Sequence, residues 1–200
     1  KVNKFGEVVR YKGRLVAKGF RQIEGVDFHD TFAPTPSPAV LRMVMPLAAH
    51  EDWELFHWDV RQKFIQAKVK EDIGIRLCEG CGRWTGKVAK LVKSFYGCRQ
   101  SSRNFCLLLA QVLEEIGFEQ CKADPCVLRL VSAGKVCALI APHVNDLMVA
   151  GIRDSVEEVC RKIEARFSIS DLGDLQLYMG CTASRDQAAR TITVDQTVYV

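Results

Sequence analysis

The residues of this chain best placed to do chemistry are two aspartates that border apolar runs. Asp146 closes the tetrad His143-Val144-Asn145-Asp146, which interrupts an apolar stretch reaching from Ala138 to Gly151. Two apolar segments separated by turn-prone residues read as a β-hairpin, and Asn-Asp tolerates the positive φ that a tip demands. A tip of this kind would hold Asp146 rigidly. Asp59 ends a second apolar-aromatic run (Leu55, Phe56, Trp58), which places it at or near a strand. Two strand-borne acids suggest a metal site.

Several elements must position these acids. Pro34-Thr35-Pro36-Ser37-Pro38 is a loop in which Ser37 can cap a helix that starts at Pro38 and runs to about His50. Pro46 falls inside it, where a proline costs ~3 kcal/mol unless the helix kinks. Ser102 to Gly117 carries Phe105, Leu109, Val112, Leu113 and Ile116 on one face and stops at glycine. Ser155-Val156-Glu157-Glu158 reads as a capping box ahead of the stripe Val156, Val159, Cys160, Ile163 and Phe167. Strands are expected near 55–60, 126–131, 136–142 and 147–151, with a further one near Leu175 to Ala183. Val8 to Phe20 suits a basic hairpin after a Lys4-Phe5-Gly6 turn. The order β, α, β, β, α defines an α+β class with two helices on one sheet face. Pro142 conflicts with it, because a proline in a central strand cannot donate its ladder hydrogen bond.

Two hundred residues, 48% of them apolar, suffice for one well-buried domain. Net charge is only +4, but residues 1–25 carry +5 and Arg83 to Arg103 carry +6, leaving −7 elsewhere. Such basic clusters suit phosphate, whose neutralisation releases counterions; a merely solvated basic face is the alternative. The nine cysteines form no regular framework, and Cys78-Glu79-Gly80-Cys81 is a lone CxxC. His29, His50, His57 and His143 are not spaced to complete it, so no structural zinc is expected. No membrane span or signal peptide is seen; the chain opens on Lys1-Val2-Asn3-Lys4. An intracellular setting, cytoplasmic or nuclear and not secreted, is the expectation. The missing initial Met and the alternating Thr197-Val198-Tyr199-Val200 read as a segment of something longer.

Five ordered blocks resemble the reverse transcriptase of copia-type retrotransposons. Arg10 to Phe20 (RYKGRLVAKGF) is similar to the family's RYKARLVAKGF, and Thr31-Phe32-Ala33-Pro34 to TFAP. Trp58-Asp59-Val60-Arg61-Gln62-Lys63-Phe64 resembles LDVKNAF, Lys93 to Gln100 (KSFYGCRQ) resembles KSLYGLKQ, and Asp171 to Leu175 (DLGDL) resembles DLGEL. The hairpin tip corresponds to YVDD, with His143 in place of Tyr and Asn145 in place of the first Asp.

The resemblance implies a right-hand polymerase: fingers over about 1–57 and 71–94, and a palm over about 58–70 and 95–183 with a ferredoxin-like (RRM-like) antiparallel sheet backed by helices. Residues 184–200 would begin the connection toward a thumb that is largely absent. It implies two-metal nucleotidyl transfer with Mg²⁺ or Mn²⁺, in which Asp59 is a bridging ligand, Asn145 stands at the second bridging position and Asp146 at the more peripheral third. An amide brings no negative charge, so metal binding would weaken and the rate fall on the order of 10³-fold or more. Phe64 stands where the family has an aromatic that excludes a ribose 2′-hydroxyl; a core aromatic is the alternative. Lys12 and Arg14 would meet the triphosphate or be solvated. Tyr96 and Gly97 would pack against the incoming nucleotide, and Lys63 would add phosphate affinity or obstruct the pocket. Gln100, His143, Met179 and Gly180 would lie along primer and template, although His143 beside the acids can also be read as a base or ligand. Implied partners are an RNA or DNA template with its primer, deoxynucleoside triphosphates, and the remainder of a polyprotein with integrase and RNase H. A catalytically dead remnant that at most binds nucleic acid is the competing reading.

Overall fold

Alternating burial along β1 (Glu54–Val60) sends Phe56, Trp58 and Val60 to one side and Leu55, His57 and Asp59 to the other. The computed structural model describes residues 6–9, 11, 13–143 and 146–197. In chain order, helix α1 (Pro38–His50) precedes β1, and the short strands β2 (Gly74–Arg76) and β3 (Val88–Lys90) pair with each other. Then come α2 (Ser101–Ile116), β4 (Phe118–Gln120), β5 (Leu128–Ser132), β6 (Lys135–His143), β7 (Asp146–Gly151), α3 (Arg153–Glu164) and β8 (Ile169–Asp174). The chain ends in β9 (Leu177–Tyr178), β10 (Cys181–Asp186) and β11 (Thr191–Asp195), a small separate sheet.

The main sheet runs β4-β5-β6-β7-β1-β8, antiparallel throughout. Its central part follows β-α-β-β-α-β along the chain (β1, α2, β6, β7, α3, β8), so the class is α+β as expected. One face is covered by α2 and α3 through Phe105, Leu109, Val112, Leu113, Val156, Val159 and Ile163. The other packs Val40, Leu41, Val44 and Met45 of α1 against Leu55, Leu139, Met148 and Tyr178. Cover on both faces explains why Leu147-Met148-Val149-Ala150 is uninterruptedly apolar, since all four of those side chains are buried. Leu147, Met148 and Val149 each contribute roughly 1.5–3 kcal/mol on burial. The end of α2 follows the sequence signal: Gly117 sits at φ 109°, a left-handed cap in which a Cβ would be strained.

Five local expectations are corrected. β7 begins at Asp146, paired with His143, so Asp146 belongs to the strand and not to the turn. The expected strand from Leu175 to Ala183 is two strands joined by a turn at Met179 and Gly180, both at positive φ. α3 starts at Arg153 after Ile152, not at Ser155, and the supposed capping box lies inside the helix. No strand forms over described residues 13–18; that segment is extended coil ending in a 3₁₀ turn at Gly19–Arg21. Pro142 is accommodated because pairing with β5 ends at Leu128 and Ile140, leaving β6 a partner on one side only. α1 likewise runs through Pro46, which is exposed.

Candidate active site

Asp59 and Asp146 are direct cross-strand partners in the β1–β7 ladder. Side chains two residues apart on a strand share a face, so Asp59 stands with Leu55 and His57, and Asp146 with Met148 and Ala150, all toward the α1 side. Directly opposed residues place their Cβ atoms about 4.5–5.5 Å apart. Two carboxylates thus meet at the margin of a buried sheet, where charge repulsion is relieved by a cation or by donors. Asn145 and Lys12 lie outside the described residues.

The surrounding chain supplies such groups. His57, two residues before Asp59, places Nε2 2.8 Å from Asp146 Oδ1, donating to the carboxylate. Tyr178 is buried with its hydroxyl donating to the Ala141 carbonyl at 2.7 Å, and burial pushes its phenol well above the ordinary range. Its ring meets His57 and His143 edge-on, with centroids 6.0 Å and 5.9 Å away. Lys63 follows Gln62, whose φ of 50° turns the chain back toward the sheet, and its side chain is only 3% exposed. Its Nζ lies 4.7 Å from the Phe64 ring centroid and 5.7 Å from that of Phe105. Burial pushes the ammonium down to about 8, against the attraction of Cys106, Asp146 and Asp59. Among the described residues, no group of three or more His, Cys, Asp and Glu is placed to hold a metal ion.

Beside this pair the structure gathers Arg14, Phe64, Tyr96 and Gly97. Phe64 meets Tyr96 edge-to-face at 4.9 Å and 73°, and the Arg14 guanidinium lies 5.0 Å from the Tyr96 ring centroid. Ala17 N–H donates to the Tyr96 carbonyl at 2.7 Å, so the segment bearing Arg14 is fastened to the Tyr96 loop through backbone. Gly97, at φ 89°, permits this approach, because a Cβ there would collide with the Ala17 carbonyl. The result is an aromatic wall with a guanidinium over it, next to the turn that carries Lys63. Such a wall can stack a planar group and hold an anion.

The remaining expected residues are dispersed. Gln100 is 1% exposed, its amide donating to the Asp27 carbonyl at 2.8 Å and accepting from Gln22, so it braces a loop. His143 stands beside Tyr178 and opposite Asp146, next to the carboxylates. Met179 and Gly180 form the β9–β10 turn, Met179 packing against the α1-side core. Sequence reasoning missed His57 and Tyr178. The strand period placed His57 on the face of Asp59, a usable signal, whereas nothing local marked Tyr178 as reaching Ala141.

The chain belongs to the reverse transcriptase family, matching "Reverse transcriptase (RNA-dependent DNA polymerase)" over residues 1–200. Its relatives are copia-type retrotransposon polyproteins. It is 29% identical over 206 residues to the retrovirus-related Pol polyprotein from transposon TNT 1-94 of Nicotiana tabacum, across 100% of this chain and 15% of that protein. It is also 29% identical over 188 residues to that from transposon RE1 of Arabidopsis thaliana, across 92% of this chain and 13% of the relative. The chain therefore spans about 15% or less of the polyproteins it matches. No helix among the described residues is long and apolar enough to cross a membrane.

Proposed function

We propose that this chain is the fingers and palm of an RNA-directed DNA polymerase whose nucleotidyl transfer is impaired at position 145. The observation that carries the reading is the cross-strand register of Asp59 and Asp146 on one face of the β1–β7 ladder. Fingers correspond to about 1–57 and 71–94, palm to about 58–70 and 95–183, and 184–200 begins the connection to a thumb.

Oxygen donors of this type fit Mg²⁺ or Mn²⁺, and Asp59 and Asp146 would hold the ions, with the Asn145 amide contributing no charge. Bound there, two ions would lower the pKa of the primer hydroxyl and neutralise phosphate charge. The chain's own groups do the rest. Arg14 holds phosphate, Phe64 and Tyr96 wall the sugar and base, and His57 orients Asp146 through its hydrogen bond. The template, primer and deoxynucleoside triphosphates are the corresponding partners, and integrase and RNase H belong to the rest of the polyprotein.

A second reading, a catalytically silent nucleic-acid-binding remnant, is favoured by the groups beside the acids. His57 occupies Asp146 Oδ1, and the Lys63 ammonium is attracted to both carboxylates. Primer extension on an RNA template with Mg²⁺ or Mn²⁺ separates the readings, using the chain extended by a thumb and its Asn145→Asp variant. Extension by both, or by the variant alone, supports the polymerase scaffold; binding without extension by either supports the remnant.

A further inference from the structure

The β2–β3 hairpin carries a feature that the carboxylate site does not use. Beyond Leu77, whose N–H donates to the Lys87 carbonyl, the chain turns through residues 78–86, and a 3₁₀ turn at Gly82–Trp84 places an indole at the tip. Trp84 is 50% exposed, whereas Trp53 and Trp58 are buried. Arg83 and Lys87 both lie over it, each 4.9 Å from the ring centroid. Neither forms an ion pair among the described residues, in contrast to Lys90, which is held by Asp72 at 2.9 Å. The hairpin thus presents a half-exposed indole with two cations at its ring that are not engaged by acids among the described residues, within the stretch from Arg83 to Arg103 that carries no acid at all.

A groove of about 480 Å³ runs along β2 and reaches Leu77 and Cys78, at the start of the turn that carries Trp84. One wall is the segment 15–22 with Lys18 and Arg21; the other is β2 with Arg76, whose guanidinium donates to the Gly86 carbonyl at the base of the Trp84 turn. Asp27 is its one acidic lining residue. Cations beside an exposed aromatic platform are what an unpaired strand needs. Phosphates follow the cations, and bases stack on a π-face, which in a duplex is already covered by neighbouring pairs.

We infer that the β2–β3 tip is a stacking platform for single-stranded nucleic acid, with Trp84 receiving a base and Arg83 and Lys87 the adjoining phosphates. This rests on the nucleic-acid reading of the chain but not on its catalysis, since the platform lies outside the carboxylate site. The test is binding of a 12-nucleotide oligouridylate to the purified chain, read by quenching of tryptophan emission and by anisotropy of a labelled oligonucleotide across a KCl series. Because Trp84 is the exposed indole, stacking quenches the emission that iodide can reach. Trp84→Ala is expected to weaken binding about tenfold, within the range of one base stack, and Trp84→Phe to restore most of it. Arg83→Gln with Lys87→Gln should flatten the slope of log affinity against log salt by about 1.4, two phosphate contacts' worth. A blunt duplex of equal length should bind more weakly and leave Trp84 unquenched. Unchanged affinity in Trp84→Ala, or equal quenching by duplex, overturns the platform while leaving nucleic-acid binding in place. Absence of any binding by the unaltered chain at low salt overturns both the platform and the nucleic-acid reading.

Discussion

Replacing Lys63 with methionine should stabilise the protein at neutral pH and remove a pH dependence. Lys63 is 3% exposed, and burial lowers its pKa from 10.5 to about 8 even with Cys106, Asp146 and Asp59 attracting it. Below pH 8 both native and unfolded chains hold the proton, and the native state bears the full cost of burying the charge. Between about 8 and 10.5 the native protein has released a proton that the unfolded chain retains, so stability rises with pH; above that range the cost is gone. At about 1.36 kcal/mol per unit, the upper bound on this cost is ~3 kcal/mol. Screening by water at the margin of the site reduces it, so a gain of roughly 1–3 kcal/mol is expected for Lys63→Met at pH 7. Methionine approximates the length of the lysine stem and can fill the space between Phe64 and Phe105. Urea unfolding followed by tryptophan emission at pH 7 and pH 10 measures it, Trp58 being buried beside β8. The difference in midpoint between the two proteins should be large at pH 7 and mostly lost at pH 10, with equal slopes. A variant no more stable at pH 7, or a gain that persists undiminished at pH 10, would show that the ammonium is not the costly group.

The same substitution should tighten Mn²⁺ binding several-fold in an electron paramagnetic resonance titration, because a cation attracted to Asp59 and Asp146 is removed; unaltered binding would place the ion elsewhere. Gly97→Ala is expected to lose roughly 2–4 kcal/mol, since its φ of 89° and the Ala17 carbonyl both oppose a Cβ, and a thermal melt within a degree of the parent would contradict that. Tyr178→Phe should cost about 1 kcal/mol in urea unfolding by deleting the hydroxyl donor to Ala141, and no change would mean that water replaces it. In an Asn145→Asp background that extends primers, Phe64→Val should increase ribonucleotide incorporation relative to deoxyribonucleotide; an unchanged ratio would leave Phe64 a packing residue against Tyr96.

What the sequence made legible was local. The stop of α2 at a left-handed Gly117, the start of α1 at Pro38 and the strand alternation around Asp59 are each written within a few residues, although the Ser37 side chain makes no capping hydrogen bond. What it left obscure depends on partners far along the chain. α3 begins two residues earlier than its supposed capping box, and its first residue, Arg153, pairs with Glu54 on β1 at 3.0 Å, a contact separated by 99 positions. The described residues 13–18 have strand-like alternation but are fastened through the Ala17 N–H to the Tyr96 carbonyl and form no strand. Within the candidate site, Asp59 was recognisable, whereas its pairing with Asp146, the reach of His57 and the burial of Lys63 follow from sheet register and from the turn at Gln62.

Pro142 has a consequence for how the sheet meets other molecules. Where β6 outruns β5, a strand would ordinarily offer free backbone donors to any passing extended chain, the route by which sheets polymerise. A proline at that overhang withdraws one of those donors. The far margins are blunted by other means: β4 is only three residues long, and β8 carries an irregularity between its pairings with Phe56 and Trp58 as well as Asp171 and Asp174. A substitution that reads in one dimension as damage to a central strand therefore acts in three dimensions as a guard against self-association at high concentration.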